Sequence, residues 1–441
     1  MNYTEFPSEE ELKKILKRPA ADVVQLEEKV SAIMHDVRMR GDKALKEFTQ
    51  KFDGVALDEL SVSRAEFDAA EKSLAVELKA AILLAKNNIE KFHASQKTAI
   101  TKIEIMPGVN CWRKNLPIEK VGLYIPGGSA PLFSTILMLV VPAQLAGCKE
   151  ISLCTPPSKE GSVHPAILYT AKLCGVTKIF KVGGAQGIAA MAYGTETISR
   201  VYKIFGPGNS FVNAAKQLVS REGIAIDLPA GPSELAVYAD QSVPASFVAA
   251  DLLSQAEHGP DSQVVLVSTD KNVLLNIMKE IEIQLEKLPR KEIAAEALKK
   301  SQAVLVKDEI AAMKLLNDYA PEHLILACAN AEELSEKVSS AGSVFLGAWS
   351  PESAGDYASG TNHTLPTNGC ARAWSGVSLD SFVKKVTFQK ISEEGLQNIG
   401  PAIELMAEAE GLYAHKNAVT IRLQNGRSEG VIWTDYTDST D

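Results

Sequence analysis

An α/β fold of two similar Rossmann-like lobes, each a parallel sheet flanked by helices, is predicted by three features of this 441-residue chain. Short apolar runs alternate with helical periodicity through the middle of the sequence. The alternation comes in two successive rounds that meet near residue 231. On either side lie an N-terminal helical region and a C-terminal helical tail. The expected divisions are 1–105, 106–231, 232–377 and 378–441.

From about residue 8 to 100, EEELKKILKRP, ADVVQLEEKVSAIMHDVRMRGDKALKEFTQKFDG and AAEKSLAVELKAAILLAKNNIEKFHASQ carry apolar residues three and four apart, the helical period. Pro19 and Gly41 punctuate them. His35 and His93 read as surface or packing histidines. After MPGVNCWRKNLP the first round runs VGLYIP, STILMLVVPAQLAG, KEISLCTP, HPAILYTAKLCG, KIFKVGG, AQGIAAMAYG, KIFGPG, NSFVNAAKQLVSREG and AIDLPAG. The second runs ELAVYAD, PASFVAADLLSQAEHGP, SQVVLVST, a long helix near 270–300, QAVLVK, HLILAC and GSVFLG. From about 378 the strand rhythm ends, and EEGLQNIGPAIELMAEAEGLYAHKNAV reads as helix. In such sheets ligands gather beyond the C-terminal ends of strands. The turns IPGGSAP, VGGAQG, FGPGNS and LPAGPSE are therefore the places to look.

Bulk properties narrow the function class. A hydrophobic content of 46% and a charged content of 23% are those of a soluble globular protein. The net charge of −9, with no lysine- or arginine-rich block, argues against generic nucleic-acid or anionic-membrane binding. The start, MNYTEFPSEEELKKILKRP, has no apolar signal core. The six cysteines (Cys111, Cys148, Cys154, Cys174, Cys328 and Cys370) form no CxxC pair and mostly sit in apolar runs. They read as reduced thiols of a cytoplasmic protein.

Four chemistries have candidates. VGGAQG and FGPGN open helices whose N-termini favour phosphate. Neither is G-x-G-x-x-G, and no acid lies about 20 positions beyond to hold a ribose; tight turns are the alternative use of these glycines.

Metal binding is the second. In SQAEHGPDS, Gln255 and His258 lie three apart at a helix end, and His323, His363, His415 and Asp356 lie elsewhere. Imidazole and carboxylate without thiolate suit catalytic zinc or a neighbouring divalent ion. A histidine at a helix C-terminus also caps the dipole. Third, Glu322 and His323 in YAPEHLIL are adjacent. In an extended segment they point to opposite faces, but a turn can aim both into one site for proton transfer. An exposed turn pair is the alternative. Fourth, a nucleophilic cysteine needs a lowered thiol pKa, and only Cys148 has an adjacent lysine.

Taken together, VGLYIPGGSAPLFSTILML, VGGAQGIAAMAYGT, KIFGPGNSFV, DLPAGPSE, DLLSQAEHGPDSQ, APEHL, SAGDYASGTNHTLPT and AEAEGLYAHKNAV resemble the histidinol dehydrogenase family, from about residue 35 to 422. The resemblance implies an aldehyde-dehydrogenase-like two-lobed fold and a zinc-containing homodimer. It implies two NAD-dependent oxidations, L-histidinol to L-histidinal to L-histidine. It puts zinc ligands at Gln255, His258, Asp356 and His415, and the catalytic pair at Glu322 and His323. Substrate contacts fall on Ser233 and Glu410 together with those ligands and that pair, and His363 is a further candidate. NAD contacts fall on Tyr124, Gln186 and Asn209. The family's C-terminal segment reaches a partner's site, so Glu410 and His415 are candidates to serve the other subunit. Two rival readings are a zinc-dependent hydrolase using water activated by Glu322, and a two-lobed metal-dependent binding protein.

Overall fold

The computed structural model describes residues 1–18, 23–127, 130–229 and 231–425. Pro19, Gly128 and Ser129 of IPGGSAP, Ala230 of LPAGPSE and the end of the tail lie outside the described residues. The chain divides into two compact units, Met1–Lys97 with Pro117–Phe382, and Thr98–Leu116 with Val383–Asp441.

The first unit opens with strand β1 (Asn2–Glu5) and helix α1 (Glu9–Ile15). A capping box starts α1: Glu11 N–H donates to Ser8 Oγ, and Ser8 N–H donates back to the Glu11 carboxylate. Helices α2 (Val23–Arg40), α3 (Asp42–Phe52), α4 (Arg64–Ser73) and α5 (Val76–Ala94) follow. The single helix expected over 69–96 is broken where Leu74 and Ala75 take extended backbone. Strands β2 (Lys102–Met106) and β3 (Val109–Pro117) form an antiparallel hairpin that contributes to the second unit.

The chain then builds the first lobe. It runs β4 (Lys120–Tyr124), α6 (Ser134–Ala146), β5 (Glu150–Thr155), α7 (Pro165–Leu173) and β6 (Lys178–Lys181). Helix α8 (Gly184–Tyr193), β7 (Lys203–Phe205), α9 (Ser210–Arg221) and β8 (Ala225–Ile226) complete it.

The second lobe runs β9 (Glu234–Ala239), α10 (Ala245–Ala256), β10 (Gln263–Ser268), α11 (Lys271–Leu285), α12 (Lys291–Lys299) and β11 (Gln302–Leu305). It continues through α13 (Glu309–Tyr319), β12 (His323–Ala327), α14 (Ala331–Ser335), β13 (Ser343–Leu346) and α15 (Glu352–Tyr357). The helix expected near 270–300 is two, α11 and α12, because Pro289 cannot continue an α-helical ladder.

Both sheets are parallel. The first is ordered β6-β5-β4-β7-β8 and the second β1-β11-β10-β9-β12-β13. Without β1, each lobe's strands stand third, second, first, fourth, fifth in its own chain order, so the two lobes share one topology. Each sheet is buried on both faces. Val121, Leu123, Leu153 and Ile204 in the first, and Leu235, Val237, Val264 and Leu324 in the second, are sealed from solvent. This double burial explains the continuous apolar runs. Among the described residues no helix is long and apolar enough to cross a membrane.

In the second unit, β14 (Val383–Ile391), α16 (Glu393–Ala409) and α17 (Tyr413–Asn425) join the hairpin, with sheet order β14-β3-β2. The strand rhythm therefore does not end at 378. Strand β14 was missed because VKKVTFQKI is mostly exposed and carries neither an apolar run nor clean alternation. Trp112 and Phe388 stack with centroids 5.6 Å apart. Helices α16 and α17 meet at Gly400, where an added Cβ would crowd Leu423 and Val419.

A buried ion pair fixes the turn after β7. Lys216 Nζ lies 2.5 Å from Asp227 Oδ1 and donates to Gly206 O at 2.9 Å, while Gly206 N–H donates to Asp227 Oδ2 at 2.7 Å. Gly206 has φ +123°, and a Cβ there would collide with Tyr124 O. Replacing Lys216 by Met strands the Asp227 carboxylate in the interior. We predict a loss of about 3–5 kcal/mol of stability, measurable by denaturant unfolding. A Lys216→Met/Asp227→Asn double variant recovers part of it.

Candidate active site

The candidate side chains of the two lobes stand at opposite ends of their strands. In the first lobe the three residues that the resemblance assigns to a dinucleotide stand at the C-terminal ends. Tyr124 closes β4, Gln186 lies in the first turn of α8, and Asn209 caps α9 by accepting from Val212 N–H at 3.1 Å. Tyr124 Oη accepts from Gly184 N–H at 3.0 Å, and burial pushes its hydroxyl up to about 12. All three line one cavity of about 880 Å³, together with Asp53, Thr155, Pro156 and His164. It opens where the strand order reverses between β4 and β7, the switch point at which doubly wound sheets bind ligands.

In the second lobe Glu322 and His323, the pair expected to transfer protons, stand at the N-terminal start of β12, beside the start of β9. Ala320, with φ +51°, ends α13 in a left-handed cap, and Pro321 follows, so the chain enters β12 through a turn. That turn lets Glu322 and His323 reach one place, with His323 Nδ1 3.8 Å from Glu322 Oε2. Glu322 accepts from Glu234 N–H at 2.9 Å. Ser233 immediately precedes β9, and its carbonyl accepts from Gln263 N–H at 3.2 Å.

Helix α15 brings two more acids. His323 Nδ1 lies 3.7 Å from Glu352 Oε1, and its Nε2 lies 3.6 Å from Asp356 Oδ1. Asp356 is the hub: His258 Nε2 stands 3.9 Å from its Oδ2, and His363 Nδ1 stands 2.9 Å from its carbonyl oxygen. His363 Nε2 reaches Thr135 of α6 at 3.2 Å, and Asn362 donates to Met138 O at 2.6 Å, so the 356–363 segment ties the second lobe to the first. His93 packs in the interior beside Asn362, as a packing histidine should.

Gln255, fully buried near the end of α10, has its amide placed to donate to Glu352 and to accept from Glu234 N–H at 3.3 Å. Glu234 is held in turn by a fork from Arg18, whose Nη2 donates to Glu234 Oε2 at 2.8 Å and to Tyr319 O at 2.7 Å. Glu410 and His415 belong to the second unit, Glu410 as the C-cap of α16 and His415 exposed on α17.

The His323 imidazole is surrounded by three carboxylates, those of Glu322, Glu352 and Asp356. Burial pushes Glu322 up to about 7 and holds Glu352 well above the ordinary carboxylate range, with His323 pulling both the other way. Burial alone disfavours charge on His323, yet Glu352, Glu322 and Asp356 push it up to about 10. For Asp356 burial acts upward, but His323, His363 and His258 bring it below its usual value. Buried carboxylates in excess over cations call for a positive charge. Ligand atoms of His258, Glu352 and Asp356 all lie within 4.8 Å of one another. Nitrogen and oxygen donors without thiolate fit zinc or a similar divalent ion. A cation bound there would offset the acids and bring His323 back toward the range where it accepts protons.

Glu352 escaped the sequence reading. Its only signal was its place four residues before Asp356, on one face of a short helix. All six cysteines are free of disulfides, and burial pushes Cys148, the one with an adjacent lysine, up to about 11 and Cys174 up to about 12, away from a reactive thiolate.

A cavity at the switch point of one parallel sheet and a buried acid–base cluster on a second describe a two-lobed α/β enzyme of the oxidoreductase class. The family model described as Histidinol dehydrogenase matches residues 16–423. This chain belongs to the histidinol dehydrogenase family. It is 60% identical over 423 residues to the histidinol dehydrogenase of Bacteroides thetaiotaomicron, covering 96% of this chain and 99% of that one. Against the Escherichia coli K12 histidinol dehydrogenase the identity is 50% over 417 residues, 94% of this chain and 95% of that one. The crystal structure of the Elizabethkingia anophelis enzyme superposes with a TM-score of 0.95 at 56% identity, covering 97% and 99% of the two chains.

Asp251, on α10 close to Glu352, is pushed up to about 7 by burial. Because its folded pKa exceeds the unfolded value near 4, the group favours folding while protonated. Stability from this source is complete below pH ~4 and is lost as pH rises through about 7. Asn keeps the oxygen that accepts from Glu352 N–H. We therefore expect Asp251→Asn to raise stability at pH 8 by on the order of 2–4 kcal/mol and to change little at pH 4, as read from unfolding midpoints at both pH values.

Proposed function

We propose that this chain oxidises L-histidinol through L-histidinal to L-histidine, the last steps of histidine biosynthesis, passing four electrons to two NAD⁺. The reading makes it a zinc-dependent cytoplasmic homodimer. Residues 106–231 form its dinucleotide side and 232–377 its metal and catalytic side; 378–441 serves as a dimer arm, and 1–105 as a helical support. The observation that carries it is the convergence of buried Glu322 and His323 with Asp356 and the more exposed His258 in one cluster, in a chain of this family.

Gln255, His258 and Asp356, with His415, would hold the metal, and Tyr124, Gln186 and Asn209 the dinucleotide. Ser233 and Glu410 join the metal ligands and the Glu322–His323 pair in contacting substrate. When bound, zinc supplies a Lewis-acid anchor for the substrate's imidazole and amino nitrogens, and the nicotinamide supplies the hydride acceptor. His323 takes the carbinol proton in the first oxidation. Glu322, raised toward neutrality, takes a proton from the water that adds to the aldehyde carbon. His323 then takes the hydroxyl proton of the hydrated aldehyde in the second oxidation. No thiol is required, which agrees with the raised cysteines. Exposed Leu405, Met406, Leu412 and Tyr413 on the second unit support an arm that pairs with another subunit.

Anaerobic titration with L-histidinol and NAD is expected to yield two NADH per histidinol and to fail after chelation. One NADH, or undiminished turnover without metal, sinks the scheme. Glu322→Gln should lower complete oxidation by about 10²–10⁴-fold, and His323→Ala by a similar factor. An undiminished rate in the latter removes His323 as the base.

A further inference from the structure

Residues 1–18 precede both lobes in the sequence yet pack with the second. Strand β1 adds to its edge alongside β11, and Leu12, Ile15 and Leu16 lie against its core. This course ends at Arg18, which reaches the segments that open β9 and β12. Its guanidinium lies over the Tyr319 ring, 4.2 Å from the centroid. Nη2 donates to Tyr319 O at 2.7 Å and to Glu234 Oε2 at 2.8 Å, while Nε donates to Glu234 Oε1.

One side chain therefore joins the two segments that fix Glu322. Tyr319 ends α13 shortly before Glu322, and its carbonyl is one of the helix-end acceptors that a cation satisfies well. Glu234 opens β9, and its N–H is the donor to Glu322 Oε2. Asn368 N–H completes the set by donating to Glu234 Oε1 at 2.9 Å. His323 has other supports, the acids of α15 and the ladder with β13. A buried ion pair adds little net stability over an apolar pair. A rigid two-pronged donor is also more than charge balance needs, so the fork serves geometry.

We propose that Arg18 is a positioning residue for the Glu322 carboxylate: by bracing the start of β9 against the end of α13, it holds Glu322 at the place from which it meets the reacting water. This rests on the reading of Glu322 as the base for water addition.

The test measures steady-state oxidation of L-histidinol by NAD, and thermal unfolding, in the full-length holoenzyme. Arg18→Met and Arg18→Lys are each made alone and together with Glu322→Gln. Arg18→Met is expected to lower kcat by about tenfold or more while KM for histidinol changes by less than about twofold. It also melts lower, because the Glu234 charge stays buried without its cation. Arg18→Lys, which keeps the charge but not the fork, is expected to melt like the parent and still to lose about threefold or more in kcat. On the Glu322→Gln background either Arg18 change lowers kcat by less than about twofold, because the carboxylate that Arg18 positions is gone. A parent-like kcat in Arg18→Lys, or an equal loss with and without the Glu322 carboxylate, overturns this inference alone. Undiminished turnover by Glu322→Gln overturns the reading of Glu322 and this inference with it.

Discussion

Burying carboxylates is the constraint on which the second lobe is built. Glu234, Glu322 and Glu352 are almost wholly removed from water, and Asp356 stands beside them. An isolated carboxylate in such surroundings is expensive, so each must find a donor or a positive charge. Arg18 reaches Glu234 from the segment just after α1, Glu234 N–H serves Glu322, and the Gln255 amide serves Glu352. His258, His323 and His363 gather round Asp356. Even so the acids outnumber the cations, and that residual negative charge makes the cluster a place for a cation and for proton transfer.

The same topology serves two purposes because a parallel sheet has two different ends. At the C-terminal edge of the first sheet, the strands feed helices whose N-terminal amides face a cavity. At the N-terminal edge of the second, the ends of α10 and α13 return to the sheet and deliver Gln255 and Glu322. Thr135, Met138, Asn362 and His363 connect the two regions by hydrogen bonds, so the cluster is not carried by one lobe alone.

Much of this was legible in the residues. Buried parallel strands need unbroken apolar runs, and those runs marked both lobes; the glycine-rich turns marked the cavity. Exposed β14 and β1, a four-residue strand added to the edge of the second sheet, carried no such signal because few of their side chains are buried. Glu352 and Arg18 were silent for a different reason. An acid in a short helix and an arginine after α1 are ordinary surface residues in one dimension, and only their partners show that they are internal.

The sequence by itself determined the α/β class, the two rounds of strand and helix, and the residue strings that place the chain in its family, because local periodicity and turn chemistry are properties of neighbours along the chain. Tertiary structure decided which ends of the strands are used, that Glu322 and His323 turn into one pocket, and that Arg18 meets Glu234 in the interior. Those are relations between residues tens to hundreds of positions apart. Burial and charge compensation, which settle them, are defined only once the chain has closed around them.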